Sequence, residues 1–565
     1  MYRTPESLTS RLEQIDGRGY PAYRDLEGSY AFPLFKLQID RVQRDPFAPP
    51  TLIRVFVDSR ETGLDSDIWS SDSRRIAICD YLTRRLVDAL STRSRRSGSG
   101  SSGRLEIAIP GQEIVERTSV QLDRERFEIR AYAGLPAQGR RVSGQAACRL
   151  LTRDLPEAIR EALDLEDLED HLRRHLETHE DQDVIRYQLK KAGLVAFIAD
   201  GAILPRRSGE DDRPMLGDAA IPFCSPQTLR VELDTPNKGR VGGMGIRQGV
   251  TLITGGGYHG KSTLLKAIER GIYNHVPGDG REYVVTDRDA VKVRAEEGRS
   301  VGCVDLSPFV GELPTGLSSD VFSTDDASGS TSQAASVNEV IEMGGSVLLM
   351  DEDTSATNFL IRDERMTRLI ENRNEPLRPY VLYVRSLATF GVSTILVMGG
   401  SGAFFETADA VLRITNYEIK DVTREAKRIA EEVPRSGEEC NSFQEWRRSR
   451  QIAQWVVGRS TQGIRVRHRG RELQVGEDRI DCSALEQLCI EGQMTSLGHF
   501  LKHCAGEIGS GTVLKEVVTK AVGKVYDQGL DSLTDRPTGR LVMIRAHEIA
   551  GALNRARRIV AEQSR

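Results

Sequence analysis

The chain has 565 residues, of which 39 % are hydrophobic and 28 % are charged, which is typical of a globular protein of roughly three or four domains. No apolar run approaches the roughly 18 residues of a membrane span, and the first residues lack the apolar core of a signal peptide, so a transporter with fused membrane domains is excluded. The formal net charge of −5 excludes a general nucleic-acid coat, and any polyanion must therefore bind local basic patches.

Residues 1–165 predict an N-terminal α+β domain. Strand patterns occur at Leu52–Val57 and Phe127–Arg130, and helical spacing occurs at Ile76–Leu90. Residues 93–104 form a basic loop of glycines, serines and four arginines without an acid. We expect a flexible loop whose guanidinium groups contact phosphates, although such charge runs are also found as merely solvated surface. The candidate nucleic-acid residues here are Arg93, Arg95, Arg96 and Arg104.

The region from 170 to 435 predicts an α/β core. The acid-rich stretch Leu163–Asp183 predicts an exposed helix or a bridge into this core, and Ala196–Ile198 and Leu229–Leu233 predict strands ahead of the main motif.

A strand pattern at Val250–Thr254 leads into a glycine-rich turn with the G-x-x-x-x-G-K-S spacing of a Walker A phosphate-binding loop. Glycines let backbone N–H groups converge on phosphate oxygens, Lys261 supplies a positive charge, and the Ser262 hydroxyl can bind Mg²⁺. The following helix directs its N-terminal end at the same phosphates. We expect His259 to position the loop and not to ligate a metal. The predicted nucleotide-binding residues are Gly255, Gly256, Gly257, Gly260, Lys261, Ser262 and Thr263.

The segment from Val301 to Val304 is followed by the polar residues Asp305 and Ser307. Either side chain can reach a metal ion or an attacking water, and Asp305 is therefore a catalytic candidate.

A signature-like segment lies at Asp326–Thr331, with Ser328 placed 23 positions before Asp351 and a predicted helix, Gln333–Met343, in between. It resembles the ABC signature motif, Ser-Gly-Gly-Gln, whose helix completes the ATP site of a partner subunit. Ser330 and Thr331 replace the second glycine and the glutamine, and a simple helix N-cap is the alternative. The resemblance implies nucleotide contacts from Ser328, Gly329, Ser330 and Thr331.

Ser346–Glu352 is an apolar run that ends in two acids, the form of a Walker B strand. Asp351 is predicted to orient Mg²⁺ and Glu352 to polarise the water that attacks the γ-phosphate. Such a run alone is weak evidence, because many buried strands end in an acid, and the upstream Walker A loop is what supports it. Ser355–Ala356 stand like the D-loop of ABC ATPases.

The strand predicted at Thr394–Met398 is followed by the turn Gly399–Gly402, where ABC ATPases carry a switch histidine. Without an imidazole, slow hydrolysis is expected. Ser401 or a backbone N–H of this turn is predicted to take its place, since glycines permit close approach.

Pro434–Glu439 predicts a linker, and residues 440–565 predict a small C-terminal basic domain that ends in a helical pattern at Arg540–Ala561. Eight arginines and no acid occur between residues 446 and 471. The arginines at alternate positions predict a strand with one basic face, which can bind successive phosphates of a nucleic acid. The alternative is a charged face that is only solvated. These candidates are Arg465, Arg467, Arg469 and Arg471.

The motif blocks at 255–263, 324–334 and 351–359 resemble the predicted ABC-class ATPases that include a trypanosomal mitochondrial RNA-editing accessory ATPase. The resemblance implies an ABC-type P-loop core with an N-terminal α+β domain and a small C-terminal α+β domain. It also implies ATP and Mg²⁺ as cofactors, a head-to-tail homodimer through the ATP sites, and RNA or another nucleic acid as partner.

Two other functions remain open from the sequence: a nucleotide-dependent protein-binding scaffold with slow turnover, and a stand-alone energising subunit of a separate membrane transporter. Eight scattered cysteines without a C-x-x-C pair favour reduced thiols and a cytoplasmic location.

Overall fold

The computed structural model describes residues 2–64, 66–123, 125–165, 169–217, 220–313, 316, 318–370, 375–433, 449–457, 464–509 and 511–563. It forms two compact units. The N-terminal unit comprises Met1–Glu180, Ile490–Ser496 and Gln528–Met543, and the central unit comprises Asp181–Cys489, Leu497–Asp527 and Ile544–Arg565. No described helix is long and apolar enough to cross a membrane.

The N-terminal unit contains an antiparallel sheet in the order β1-β2-β3-β7-β4, with β6 also paired to β7. Alternation along β3 buries Ile53, Val55 and Val57, which share one core with Leu82 and Leu86 of α2. The elements are α1 (Pro5–Gln14), β1 (Gly28–Ala31), β2 (Lys36–Arg41), β3 (Thr51–Asp58), α2 (Asp72–Arg93), β4 (Leu105–Glu106), β5 (Glu113–Ile114), β6 (Val120–Asp123), β7 (Arg126–Ala133), β8 (Ala137–Gln138), β9 (Arg141–Val142), α3 (Gly144–Arg149) and α4 (Leu155–Leu163).

The N-terminal unit also takes in two segments from late in the chain. Arg130 on β7 has a side chain only 2 % exposed, and its guanidinium donates to both carboxylate oxygens of Asp531 at 2.5 and 2.6 Å. The same guanidinium donates to the carbonyl of Thr538 at 3.1 Å. A buried guanidinium without such partners is costly, so the segment 528–543 completes the core of this unit.

The central unit is built on a sheet in the order β16-β19-β20-β13-β21-β22, in which all pairs are parallel except β21–β22. Strands β19 and β20 are buried along their whole length, as expected for parallel strands covered on both faces. A second, antiparallel sheet has the order β11-β12-β10-β15.

The acid-rich stretch is predicted to form an exposed helix or a bridge into the core. It does contain a helix, α5, but this helix runs over Glu169–Lys191 and buries Leu172, Asp181 and Ile185, so it is not an exposed helix. The elements of this central region begin with α5. They are α5 (Glu169–Lys191), β10 (Leu194–Ala199), β11 (Arg230–Thr235), β12 (Gly239–Arg247), β13 (Val250–Gly255), α6 (Lys261–Arg270), β14 (Asn274–His275), β15 (Val284–Thr286), β16 (Ala290–Lys292), β17 (Arg299–Val304), β18 (Phe322–Ala327), α7 (Gly329–Glu342), β19 (Val347–Asp351), α8 (Thr357–Leu360), α9 (Glu364–Leu369), α10 (Val384–Thr389), β20 (Ser393–Val397), β21 (Ala410–Thr415), β22 (Glu418–Asp421) and α11 (Thr423–Glu432).

The last part of the chain mixes short strands and helices. Strand β23 pairs with β27 and β28, and β24, β25 and β26 form a separate antiparallel meander. The elements are β23 (Arg450–Trp455), β24 (Val466–Arg469), β25 (Glu472–Val475), β26 (Asp478–Asp481), α12 (Gln493–Glu507), β27 (Thr512–Val513), α13 (Leu514–Gln528), α14 (Ala546–Leu553) and β28 (Ile559–Gln563).

One expectation for the C-terminal part is wrong. The helical pattern at Arg540–Ala561 gives a helix only over Ala546–Leu553, and the chain then extends into β28. Backbone pairing of β28 with β23 outweighs the helical preference of this sequence. The predicted linker Pro434–Glu439 lies outside the described residues, as do Arg447, Arg448 and Arg459.

Candidate active site

The phosphate loop begins where β13 ends and closes where α6 begins. Gly255 and Gly260 have φ values of +141° and +102°, which only glycine adopts without strain. A Cβ at Gly255 would lie 2.2 Å from the carbonyl oxygen of Ile414, so a side chain has no room there. His259 accepts a hydrogen bond at Nδ1 from the backbone N–H of Asn416 at 2.8 Å. The imidazole thus ties the loop to the β21–β22 hairpin, in keeping with its predicted positioning role.

Three motifs that are far apart in sequence meet at the carboxyl end of the parallel sheet. In the strand register Val397 of β20 lies between Ile253 of β13 and Asp351 of β19. The turn that follows β20 therefore lies between the Walker A loop and the Walker B acids. This edge of an open parallel sheet is where ligands of α/β proteins bind.

The Gly399–Gly400 turn contacts both Walker motifs. The N–H groups of Gly399 and Gly400 donate to Oε2 of Glu352 at 2.7 and 3.0 Å. A Cβ at Gly399 would lie 3.4 Å from Nζ of Lys261, and a Cβ at Gly400 would lie 2.8 Å from Oε1 of Glu352. A Cβ at Gly400 would therefore displace the carboxylate, whereas a Cβ at Gly399 would only be in van der Waals contact with the ammonium.

Lys261 also points into the loop. Its ammonium donates to the carbonyl oxygens of Gly255 and Gly256 at 2.9 and 2.7 Å. The positive charge is thereby held over the loop glycines, on the side where Gly399 approaches. A phosphate bound in the loop would meet this charge directly.

The oxygen donors expected for a metal are Ser262 and Asp351. Asp351 is buried at the end of β19, and the exposed Ser262 lies in the first turn of α6. In the described part of the chain no three His, Cys, Asp or Glu side chains group as a metal cage. Mg²⁺ suits such a site, because it takes one or two protein oxygens and completes its shell with phosphates and water. These residues fit a magnesium ion that arrives with a nucleotide.

The signature segment forms the N-terminus of α7. Ser328 is the N-cap, and its hydroxyl accepts from the N–H of Thr331 at 3.4 Å and donates to the Thr331 hydroxyl at 3.0 Å. Its hydroxyl also lies 3.3 Å from that of Ser330. The N–H of Gly329 donates to the carboxylate of Glu297 at 2.9 Å. A carboxylate therefore already occupies an anion-binding position at this helix end.

Helix α7 also holds the D-loop-like segment. The buried side chain of Gln333 donates to the Ser355 hydroxyl at 2.9 Å and accepts from the N–H of Ala356 at 2.8 Å. The segment after Walker B is thus fixed to the signature helix by one amide. Neither Gln333 nor Glu297 is among the predicted site residues, because an isolated amide or acid gives no motif by which to find it.

Two other catalytic candidates have local partners. Oδ1 of Asp305 accepts from the N–H and hydroxyl of Ser307 at 3.0 and 2.6 Å, which closes a turn after β17. The Ser401 hydroxyl accepts from the N–H of Ala403 at 3.2 Å. Neither side chain is hydrogen-bonded to Glu352, and their catalytic roles stay predictions.

A largely buried ion pair connects the C-terminal part with the loop before β17. Arg555 donates to both carboxylate oxygens of Glu296, at 3.0 and 2.5 Å, and the N–H of Glu296 donates to the hydroxyl of Ser332 on α7. Burial alone would raise the pKa of Glu296, but the guanidinium groups of Arg555 and Arg299 outweigh it and lower that pKa. Glu296 thus stays ionised and links Arg555 to the signature helix.

The basic loop predicted at 93–104 begins at Ser94, and backbone hydrogen bonds fix it to neighbouring segments, which differs from the expected flexible loop. The N–H groups of Ser99 and Ser101 donate to the carbonyls of Ala137 and Pro46, each at 2.9 Å. Arg93 ends α2 and pairs with Glu161 at 2.6 Å, so it belongs to the packing of that helix. Arg95, Arg96 and Arg104 are exposed.

The predicted arginine strand is shorter than expected. Strand β24 covers Val466–Arg469 and is followed by a turn at Gly470, where φ is +56°. Arg465, Arg467 and Arg469 are exposed, whereas Arg471 lies beyond the turn and is half-buried. The glycine that allows the hairpin ends the alternation before Arg471.

Comparison with known families matches three parts of the chain. Residues 168–450 match the P-loop domain of the ABC ATPases, and residues 5–166 match the N-terminal domain of the ATPases of the ABC class. Residues 465–562 match the MRB1590 C-terminal domain. These matches confirm the resemblance that the motif blocks predict.

A curated relative is the "Uncharacterized protein MJ1628" of Methanocaldococcus jannaschii, 35 % identical over 189 residues, which are 32 % of this chain. The match spans 42 % of the length of that relative. Among solved structures, the ADP conformation of MJ1267, an ATP-binding cassette of an ABC transporter, is similar at 13 % identity and a TM-score of 0.24, over 42 % of this chain and 96 % of that one. A bacterial Atm1-family ABC exporter with ATP bound is similar at 14 % identity and a TM-score of 0.23, over 54 % of each chain.

Proposed function

Because the chain belongs to the family of ABC-class P-loop ATPases, we propose that it binds ATP with Mg²⁺ and hydrolyses it slowly at a head-to-tail dimer interface. The observation that carries this proposal is the contact of the Glu352 carboxylate with the N–H groups of Gly399 and Gly400 beside Lys261. This contact places the Lys261 ammonium, which can bind phosphate, near the Glu352 carboxylate, which can accept a proton from water.

Each group of the site has one task in this proposal. The loop N–H groups and Lys261 bind the β- and γ-phosphates. Oε2 of Glu352 is held by the two glycine N–H groups, and Oε1 is left to orient water and to accept its proton. Mg²⁺, held by Ser262 and Asp351, neutralises phosphate charge when it is bound. The two N–H groups take the place of an imidazole in this turn, but they cannot exchange a proton with substrate, which is consistent with slow turnover.

The partner subunit would contribute the signature helix. We propose that Ser328, Gly329, Ser330 and Thr331 of one chain contact the γ-phosphate held by the other chain, with hydroxyl and N–H donors at the start of α7. ATP then closes the dimer, and hydrolysis through Glu352 reopens it.

The proposed partner of the closed dimer is RNA or another nucleic acid, encountered in the cytoplasm. Exposed Arg95, Arg96 and Arg104 support it, and the side chain of Phe47, in a turn hydrogen-bonded to the same loop through Pro46, is 73 % exposed. Guanidinium groups bind phosphates, and an exposed ring can stack on an unpaired base. The resemblance to a trypanosomal RNA-editing ATPase points the same way. Coupling requires ATP and nucleic acid to favour the same closed state.

A second candidate is a nucleotide-dependent scaffold with little turnover, favoured by the absence of an imidazole from the Gly399–Gly402 turn. Steady-state hydrolysis separates the two functions. We expect wild-type protein to hydrolyse Mg–ATP, Glu352→Gln to lose at least about a hundredfold in kcat while still binding ATP, and Lys261→Ala to lose binding. Full turnover by Glu352→Gln would remove its proposed role, and ATP binding without any wild-type turnover would favour the scaffold.

The nucleic-acid partner is tested on Glu352→Gln protein, with and without ATP, across a salt series. We expect ATP to strengthen binding to single-stranded RNA, and joint replacement of Arg95, Arg96 and Arg104 by Gln to weaken it and flatten its salt dependence. Replacing the exposed Arg207, Arg213 and Arg240 by Gln removes the same charge elsewhere and is the matched control. Absence of binding to RNA and DNA at physiological salt in either state would reject this part of the proposal.

A further inference from the structure

Left-handed backbone at residues other than glycine is concentrated at the phosphate loop. Among the described residues four such positions occur, and three of them are Tyr258 (φ 63°), Asn416 (φ 52°) and Tyr417 (φ 67°). Asparagine tolerates this conformation, but a bulky aromatic residue does so only under strain. Strain of this kind persists where the surrounding structure enforces it, and it is frequent at ligand sites.

Tyr417 is held against the loop by its own turn. Asn416 and Tyr417 form the two-residue turn of the β21–β22 hairpin, in which Thr415 pairs with Glu418. Such turns favour asparagine followed by glycine. Their N–H groups donate to Nδ1 and to the carbonyl of His259 at 2.8 and 3.3 Å. The turn therefore keeps a tyrosine, at a position that suits glycine, next to the phosphate loop.

The ring of Tyr417 touches the loop. A Cβ at Gly260 would lie 2.9 Å from Cδ1 of Tyr417, so the ring lies over the last glycine before Lys261. The side chain remains 58 % exposed, and Tyr258, within the loop itself, is fully exposed. Neither ring contributes to the buried core, so packing does not explain why two strained tyrosines stand beside the phosphate site.

We propose that Tyr417 and Tyr258 form the seat for the nucleoside half of the bound nucleotide. In this seat the base of a purine nucleoside triphosphate stacks on an aromatic face, while the loop N–H groups and Lys261 hold its phosphates. The inference rests on the proposed nucleotide binding of this same loop and adds where the base is recognised. Stacking on a π-face accepts any purine, so the seat supplies affinity for the base but little choice between adenine and guanine.

Replacement of each tyrosine by glycine tests this proposal, because glycine adopts the left-handed conformation without strain. Tyr417→Gly and Tyr258→Gly remove the ring and also relieve the left-handed conformation, so neither variant should lose thermal stability. ATP affinity, measured by calorimetry with Mg²⁺, should fall roughly 5- to 100-fold in one or both variants, as when one base–aromatic stack is lost. Inorganic tripolyphosphate, which has no base, should bind each variant as it binds wild type. Tyr417→Phe keeps the ring and should retain ATP affinity.

The outcomes separate this inference from the proposed function. If wild type binds neither ATP nor tripolyphosphate, the phosphate site itself fails. If wild type binds both, and both glycine variants bind ATP as tightly as wild type, the seat is overturned and the nucleotide site stands. An equal loss for ATP and tripolyphosphate also overturns it, because the tyrosines would then act on the loop and not on the base.

Discussion

The turn at Gly399 and Gly400 contributes backbone N–H groups to the site, at the position where ABC ATPases carry a switch histidine. These N–H groups hold one oxygen of the Glu352 carboxylate and bring the turn within reach of Lys261. Backbone donors are fixed in direction by the strand that precedes them, so the carboxylate is oriented before any ligand arrives. The carboxylate can lie this close to the turn because Gly400 carries no Cβ.

Gly400→Ala tests that dependence. Its Cβ would lie 2.8 Å from Oε1 of Glu352, so the carboxylate must shift. We expect kcat for ATP to fall about 10- to 100-fold with little change in ATP affinity, because displacement of a catalytic group by about 1 Å costs rate more than binding. Steady-state kinetics and calorimetry measure the two quantities.

Gly402→Ala is the matched control for Gly400→Ala. It lies in the same turn, but its Cβ meets the ring of Phe405 and not the carboxylate. An equal loss of kcat in both variants would assign the effect to general disturbance of the turn.

Ser401→Ala tests the other predicted group, since an unchanged turnover number would exclude a role for that hydroxyl.

Helix α7 connects several parts of the central unit. Its N-cap is Ser328, its first N–H is bound by Glu297, and its buried Gln333 holds the segment after Walker B. The neighbouring Glu296 joins the same helix to Arg555. A ligand that displaces Glu297 would therefore act on a helix with contacts to both the site and the C-terminal part.

Glu297→Gln tests whether this carboxylate competes with a nucleotide. In the proposed dimer the γ-phosphate held by one chain needs the Gly329 N–H of the other, which Glu297 occupies in the free chain. We expect Glu297→Gln, made in a Glu352→Gln background, to dimerise at a several-fold lower ATP concentration, because a neutral amide is a weaker acceptor than a carboxylate. Sedimentation velocity measures the dimer fraction, and an unchanged ATP dependence would show that Glu297 does not compete.

The chain enters the N-terminal unit again twice late in its sequence, between segments of the central unit. Segments 490–496 and 528–543 belong to the N-terminal unit, where Asp531 neutralises the buried Arg130. Separate expression of the region 1–166 would leave this guanidinium without that partner. The N-terminal unit is therefore expected to depend on the far end of the chain for its stability.

Asp531→Asn should lower the free energy of unfolding by about 2 kcal/mol, less than the 3–5 kcal/mol of a fully buried pair because Asp531 is partly exposed. Thermal and urea unfolding of the full chain measure the change. Asp535→Asn, an exposed aspartate four residues later, makes the same chemical change without this contact. Equal stability of Asp531→Asn and Asp535→Asn would contradict the role assigned to the Arg130–Asp531 pair.

The family, the α/β class and the phosphate loop follow from the amino-acid sequence alone. Walker A is local, since its glycines, lysine and serine need only their spacing to make a phosphate site, and the buried strands are read from continuous apolar runs. The three predicted domain boundaries and the roles of the site residues stay predictions. The local sequence pattern does not predict the strand Ile559–Gln563, because the strand with which it pairs, Arg450–Trp455, lies about a hundred residues upstream.

Which side chains and backbone groups meet in the candidate site depends on the fold. The contact of Gly399 and Gly400 with Glu352, the carboxylate of Glu297 on the signature helix, and the Tyr417 ring on the phosphate loop join residues between 32 and 157 positions apart. Parallel strands bring their carboxyl ends to one edge of a sheet whatever their order in the chain. In this protein the turn of the β21–β22 hairpin also lies against the phosphate loop. Sequence periodicity predicts the strands, but their order and register in the sheet are set by long-range pairing and packing.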